Sequence, residues 1–171
     1  MNILSFGAST SSSSINRQLA NYTASLVSGA KVTELDLRDY SLPIYSSDEE
    51  ETNGIPADAQ RFLDAIRAHD AIVISLAEHN GSYSAAFKNL YDWTSRIETK
   101  LWSGKPMILL SSSPGPRGGA TVLSAAEATF PRMGADLKAS LSFPSFYDNF
   151  AEEKVTSSEL EAKLTEAVNN L

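Results

Sequence analysis

Residues 5–16 read SFGASTSSSSIN, and from Ser9 to Ser14 all six side chains carry a hydroxyl. A serine tract is ordinarily a flexible linker, but this one follows the first apolar segment directly and runs into a helical pattern. There, hydroxyls have another use. A helix N-terminus presents unpaired N–H groups and a partial positive charge, which suits a phosphate. Serine and threonine side chains complete such a cradle without a Lys or Arg. Ser13 or Ser14 caps the helix, but capping does not account for the rest of the tract.

Two more stretches carry related chemistry. AEHNGSYS sets Glu78, His79, Asn80, Gly81 and Ser82 where backbone and side chains partner a flat ring with polar edges, with His79 and Tyr83 bordering its face. SSSPGPRGG holds Ser113, Gly115, Gly118 and Gly119, and its glycines let the backbone approach a ligand closely. Arg117 is the one cation of these loops and suits the ribose phosphate of a nicotinamide dinucleotide. The plain alternatives are ordinary turns, with Ser84 capping the helix that follows. Neither GxxxxGK[ST] nor GxGxxG occurs, so a P-loop and a Rossmann first turn are both disfavoured. With no cysteine, thiolate metal sites, disulfides and a Cys phosphatase drop out. His79 lacks a visible nucleophile, and His69 is the only other histidine, so no metal centre is expected. The phosphate is therefore expected to belong to a ligand that is held, not cleaved.

Strands and helices must bring these loops together. Asn2–Phe6 reads as a first strand, and Ile15, Leu19, Tyr22 and Leu26 mark one helical face ending near Gly29. Lys31–Leu37 alternates as a second strand, and Pro56 opens a helix through Phe62 and Ile66. Between them, the acidic run Asp48–Glu51 reads as a solvated loop. Ala71–Leu76 and Pro106–Leu110 are continuous apolar runs, as strands buried on both faces require. Helices follow each, through Ala86, Leu90, Trp93 and Ile97 and from about Thr121 to Phe130. Asp136–Phe143 gives a fifth strand, and Leu160, Leu164 and Val168 a closing helix.

The alternation predicts a single α/β domain over 1–171, a flavodoxin-like three-layer sandwich. Its parallel sheet has five strands in order 2-1-3-4-5 with helices on both faces. The loops after strands one, three and four then meet at one edge. A net charge of −7 and pI near 4.8 argue against nucleic acid or an anionic membrane as partner. Neither a signal peptide nor a membrane span is visible, so a cytoplasmic protein is expected.

The chain resembles the NADPH-dependent FMN reductase family, which is flavodoxin-like and includes quinone, chromate and azo-dye reductases. In that family a pattern close to G-S-x-R-x-x-S-x-N binds the FMN phosphate. Ala8, Ser9, Ser11, Ser14 and Asn16 stand in those places, with Ala8 for the Gly and Ser11 for the Arg. A second signature, close to P-E-Y-N and then L-K-N-x-x-D-W, is matched by Ala77, Glu78, His79 and Asn80, then Phe87, Lys88, Asn89, Asp92 and Trp93, with Ala77 for the Pro and His79 for the Tyr. The third, S-x-G-x-x-G-G, is met by Ser113, Gly115, Gly118 and Gly119.

The resemblance implies FMN held by Ser9, Ser11, Ser14, Ile15, Asn16, Glu78, His79, Asn80, Gly81, Ser82, Ser113, Gly115, Gly118 and Gly119. It implies NADPH or NADH as co-substrate, a small electron acceptor such as a quinone, azo compound, metal oxyanion or free flavin, and a homodimer or dimer of dimers. No general acid or base is required. An FMN electron carrier without its own NAD(P)H site is the rival reading, and a non-catalytic protein that has lost the flavin is a third.

Overall fold

The computed structural model describes residues 1–171. Five parallel strands form its sheet: β1 (Asn2–Ala8), β2 (Lys31–Glu34), β3 (Ala71–Ala77), β4 (Pro106–Ser112) and β5 (Asp136–Phe143), in the order β2-β1-β3-β4-β5. This is the flavodoxin-like order the sequence predicts. Period-2 alternation along β3 explains the layering. Ile72, Ile74 and Leu76 enter the core on one face, and Ala71 and Val73 enter the core on the other. The first core takes its other side from α3 (Ala57–Ala68), α4 (Ala85–Ile97) and α5 (Ala120–Thr129). The second takes it from α1 (Ile15–Ser25) and α7 (Ser158–Val168).

Glycine seats α1. A Cβ built on Gly7 would lie 2.3 Å from the Arg17 nitrogen, so only glycine lets the first turn of α1 press onto the end of β1. The loop between Gly7 and that turn is thereby held at the sheet edge.

Several boundaries differ from the periodicity. The second strand stops at Glu34, because Asp36 accepts the Arg38 N–H at 2.9 Å and folds Leu37–Asp39 into a 3₁₀ turn. Helix α1 ends at Ser25, short of Gly29. Pro56 is the N-cap of α3, not its first residue. The acidic run is not a loop: it forms helix α2 (Ser47–Asn53), capped by Ser46 through the Glu49 N–H at 3.0 Å. Its first turn holds Asp48, Glu49 and Glu50, which complement the helix dipole. After β5 come a short helix α6 (Phe146–Asn149) and a hairpin of β6 (Phe150–Ala151) and β7 (Lys154–Val155), which the pattern did not predict. No helix is long and apolar enough to cross a membrane.

Candidate functional site

Because the strands are parallel, the loops after β1, β3 and β4 leave the same edge. The chain order reverses between β1 and β3, the crevice where ligands bind in open α/β sheets. A cleft lies there, lined by Ser9, Ser11, Ser13, Ser14, Ile15 and Asn16, by Ala77, Glu78 and His79, by Ser112, Ser113 and Pro114, and by Tyr147. It encloses about 200 Å³ and opens to solvent. That is less than the roughly 300–1,000 Å³ of a pocket that buries most of its ligand, so a ligand here keeps one side in water.

The hydroxyl loop is folded on itself. Ser9 N–H donates to the Gly7 carbonyl at 2.8 Å, Ser11 N–H to Ser9 Oγ at 3.2 Å, and Ser14 N–H to the Ser11 carbonyl at 3.2 Å. Ser14 caps α1 by accepting the Arg17 N–H at 3.1 Å. Asn16 is buried and spends its amide on the scaffold, with Nδ2 donating to the Ser112 carbonyl at 3.2 Å and Oδ1 accepting from Ser75 Oγ at 2.7 Å. The Ser11 and Ser13 hydroxyls, 3.4 Å apart, are exposed at the cleft, and the half-buried Ser9 lines it with them. The N–H groups of Ser13, Ile15 and Asn16 have no hydrogen-bond partner in the protein.

The second loop divides into two parts. His79 and Ser82 exchange backbone hydrogen bonds of 2.9 and 3.0 Å around Asn80 and Gly81, which have φ of 51° and 72°. This is the Asn-Gly tight turn of a hairpin. It places Asn80, Gly81 and Ser82 at an exposed tip outside the cleft lining, while Glu78 and His79 stay within it. Tyr83 turns away from the cleft and stacks on Phe130, with ring centroids 6.3 Å apart. Ser84 caps α4 and donates to the Ala8 carbonyl at 2.8 Å, tying this loop to the first.

Glu78 ties it to the third. The N-cap of α5 is Gly119, which has no side chain to offer; a Cβ there would lie 3.1 Å from that of Ser111. Glu78 Oε2 takes the place of a cap by accepting the Val122 N–H at 2.9 Å. Gly118 is equally committed, since its Cβ would meet Ser142 Oγ at 2.6 Å and the Phe143 carbonyl oxygen at 2.7 Å. Of the third loop, Ser113 lines the cleft, whereas Gly115, Gly118 and Gly119 shape its backbone from outside the lining. Arg117 is exposed and donates to Thr121 Oγ1 at 2.8 Å, away from the lining.

Eight of the residues singled out by the sequence thus share one cleft: Ser9, Ser11, Ser14, Ile15, Asn16, Glu78, His79 and Ser113. Ser13, Ala77, Ser112, Pro114 and Tyr147 join them without having been assigned to the ligand. Four of these adjoin the chosen loop residues. Tyr147 comes from beyond β5, whose carboxyl end must lie at the same edge because β5 runs parallel beside β4. Tyr147 is 71% exposed, on a segment fixed by Ser145 N–H to the Gly115 carbonyl (2.9 Å) and Phe146 N–H to the Ser113 carbonyl (3.1 Å).

Fold and cleft together define a flavodoxin-like protein with a loop of hydroxyls and unpaired N–H groups at the topological switch point. A family model described as NADPH-dependent FMN reductase matches residues 1–146, and the chain belongs to that family. A quinone reductase of Escherichia coli K12 is 37% identical over 79 residues, covering 46% of this chain and 42% of that protein. An NAD(P)H-dependent FMN reductase of Pseudomonas aeruginosa is 38% identical over 85 residues, 49% of this chain and 45% of that one. These matches span about half the length of the curated relatives. Among solved structures, FerB, a flavoenzyme NAD(P)H:(acceptor) oxidoreductase from Paracoccus denitrificans, superposes with a TM-score of 0.76 at 25% identity, covering 98% of this chain and 93% of that one. A flavodoxin from Pseudomonas aeruginosa shares the fold at a TM-score of 0.57 and 16% identity.

Proposed function

We propose that the chain is an FMN-dependent NAD(P)H oxidoreductase that passes electrons to a small acceptor, a quinone first among those considered. The observation that carries this reading is the distribution of unpartnered donors along the cleft. At one end are the N–H groups of Ser13, Ile15 and Asn16 beside the Ser9, Ser11 and Ser13 hydroxyls, a donor set for a phosphate. At the other, the N–H groups of Glu78 and Ser113 also lack partners in the protein, with Ala77 and Pro114 as apolar wall. A flat ring with polar edges on a phosphate-bearing chain fits this set, as FMN does.

The redox chemistry is the cofactor's own: hydride in from a nicotinamide, electrons out to the acceptor. The chain's residues hold and orient. Ser9, Ser11 and Ser13 and the first turn of α1 hold the phosphate. The Glu78 and Ser113 backbone N–H groups stabilise negative charge at the ring's edge. The open side of the cleft admits nicotinamide and acceptor in turn. The family also supports a homodimer.

Steady-state oxidation of NADPH by the FMN-loaded protein, with a benzoquinone as acceptor, tests the proposal. Turnover that depends on both FMN and quinone is expected. A flavin-loaded protein that oxidises neither NADPH nor NADH would instead be an electron carrier.

A further inference from the structure

In the family pattern an arginine stands where this chain has Ser11, so the cation that would face the phosphate is missing. The cation nearest to that loop along the chain is Arg17, in the first turn of α1. Its guanidinium is already engaged. Nη2 donates to the Ser12 carbonyl at 2.7 Å, Nη1 to Asp36 Oδ2 at 2.8 Å, and Nε lies 3.4 Å from Glu34 Oε1. Asp36 also pairs with Arg38 at 2.5 Å, and Glu34 accepts from Asn21 Nδ2 at 2.5 Å. Arg17 is thus matched by two carboxylates at the end of β2 and is not among the cleft-lining residues.

We propose that Arg17 is a positioning residue for the phosphate cradle, acting through the peptide between Ser12 and Ser13. No peptide in the chain is cis, and in a planar trans peptide the C=O and the following N–H point in opposite directions. Pinning the Ser12 carbonyl to Arg17, outside the cleft, turns the Ser13 N–H towards the cleft that Ser13 lines and leaves it without a protein partner. Asp36 and Glu34 hold the guanidinium for this purpose. The loop is thereby preset as an anion acceptor built from N–H and O–H donors, with no free cation in it. This inference rests on the FMN reading of the cleft.

Comparing FMN with riboflavin separates the two, because riboflavin lacks only the phosphate. The test is fluorescence titration of both flavins into the parent, Arg17→Ala and Arg17→Lys proteins, at low and high salt. In Arg17→Ala, FMN affinity is expected to fall about tenfold, the fold-change of one hydrogen bond to a charged group. Riboflavin affinity should stay as in the parent. Arg17→Lys keeps the charge beside Asp36 but lacks the planar fork that reaches Asp36 and the Ser12 carbonyl together, so it should behave like Arg17→Ala. It also carries the comparison if Arg17→Ala does not fold. Unchanged FMN affinity in both variants would overturn the role, and so would equal weakening of both flavins. Full FMN affinity in Arg17→Lys, with steep salt dependence, would make Arg17 a direct counter-ion and overturn it too. A parent protein that binds neither flavin would overturn the cleft's reading, and the Arg17 role with it.

Discussion

At the scale of single residues, several polar side chains in or beside the cleft join its loops. Asn16 connects α1 to β3 and β4, through Ser75 and the Ser112 carbonyl. Ser84 connects the second loop to the Ala8 carbonyl. Glu78 connects it to α5. From sequence, Glu78 reads as one of the residues set to partner a flat ring, with no sign that its side chain caps α5. Its task depends on Gly119 being unable to cap, a fact about packing against Ser111 and not about local pattern. A prediction follows from the cap. Glu78→Ala should cost about 1 kcal/mol of stability, as loss of a capping oxygen does. Glu78→Gln keeps an acceptor oxygen and loses only the charge at the helix N-terminus, so it should cost about half of that or less. Urea denaturation of the three proteins measures both differences. Equal losses would mean that the charge, not the hydrogen bond, supports α5.

At the scale of elements, the K-N-x-x-D-W stretch acquires a mechanical meaning. Asn89 Nδ2 and Trp93 Nε1 both donate to the Pro43 carbonyl, at 2.9 and 2.8 Å, and Asn89 Oδ1 accepts the Tyr45 N–H at 2.9 Å. Helix α4 therefore clasps the segment that leads into α2, and Trp93 is fully buried beneath it. Arg96 completes the clasp by donating to Glu50 at 2.9 Å. The residues of this motif are visible in the sequence. Their partner, 46 and 50 positions away, is not, because nothing local marks Pro43 as an acceptor.

Helix α2 escaped the sequence pattern for a related reason. It buries no residue, so no apolar period announces it, and its Ser46 cap and acidic first turn are its local signs.

The β2 edge carries a pH-dependent prediction. Hydrogen bonding from Arg38, with the charges of Arg38 and Arg17, lowers the Asp36 carboxyl from 3.8 to about 2. A carboxyl depressed in the folded state adds stability above its unfolded value and loses it as pH falls through the folded one. Replacing Asp36 by Asn should therefore destabilise the protein at neutral pH. The gap to the parent should close as pH drops from about 4 towards 2. Denaturation midpoints across that range are the measurement, and a gap that persists at the acid end would contradict the ion-pair account.

At the scale of the whole molecule, the strand order was legible because β3 and β4 are mostly apolar and buried along nearly their whole length. Only a central parallel strand covered on both faces needs such a run. The alternation of strands with helical periods then leaves few topologies, and the parallel direction of the strands brings the loops after β1, β3 and β4 to one edge. The cleft was legible to the extent that loop composition follows from position. The Asn-Gly signal at Asn80 and Gly81 marks a hairpin tip, which explains why those residues stand outside the lining. Tyr147 was hidden because the fifth strand's loop has no Gly or Ser cluster, although topology alone puts it at the same edge. The hydroxyl tract is the clearest link across scales: its composition, the capping of α1 and the switch point of the sheet all converge on an anion held by hydroxyls and backbone.

That convergence is tested most directly by titrating FMN into the purified apoprotein while following flavin fluorescence and absorbance. The account predicts saturation at one FMN per chain and weaker binding of riboflavin, because the phosphate is what the hydroxyl loop holds. Absence of binding at high micromolar FMN, or indifference to the phosphate, would contradict it.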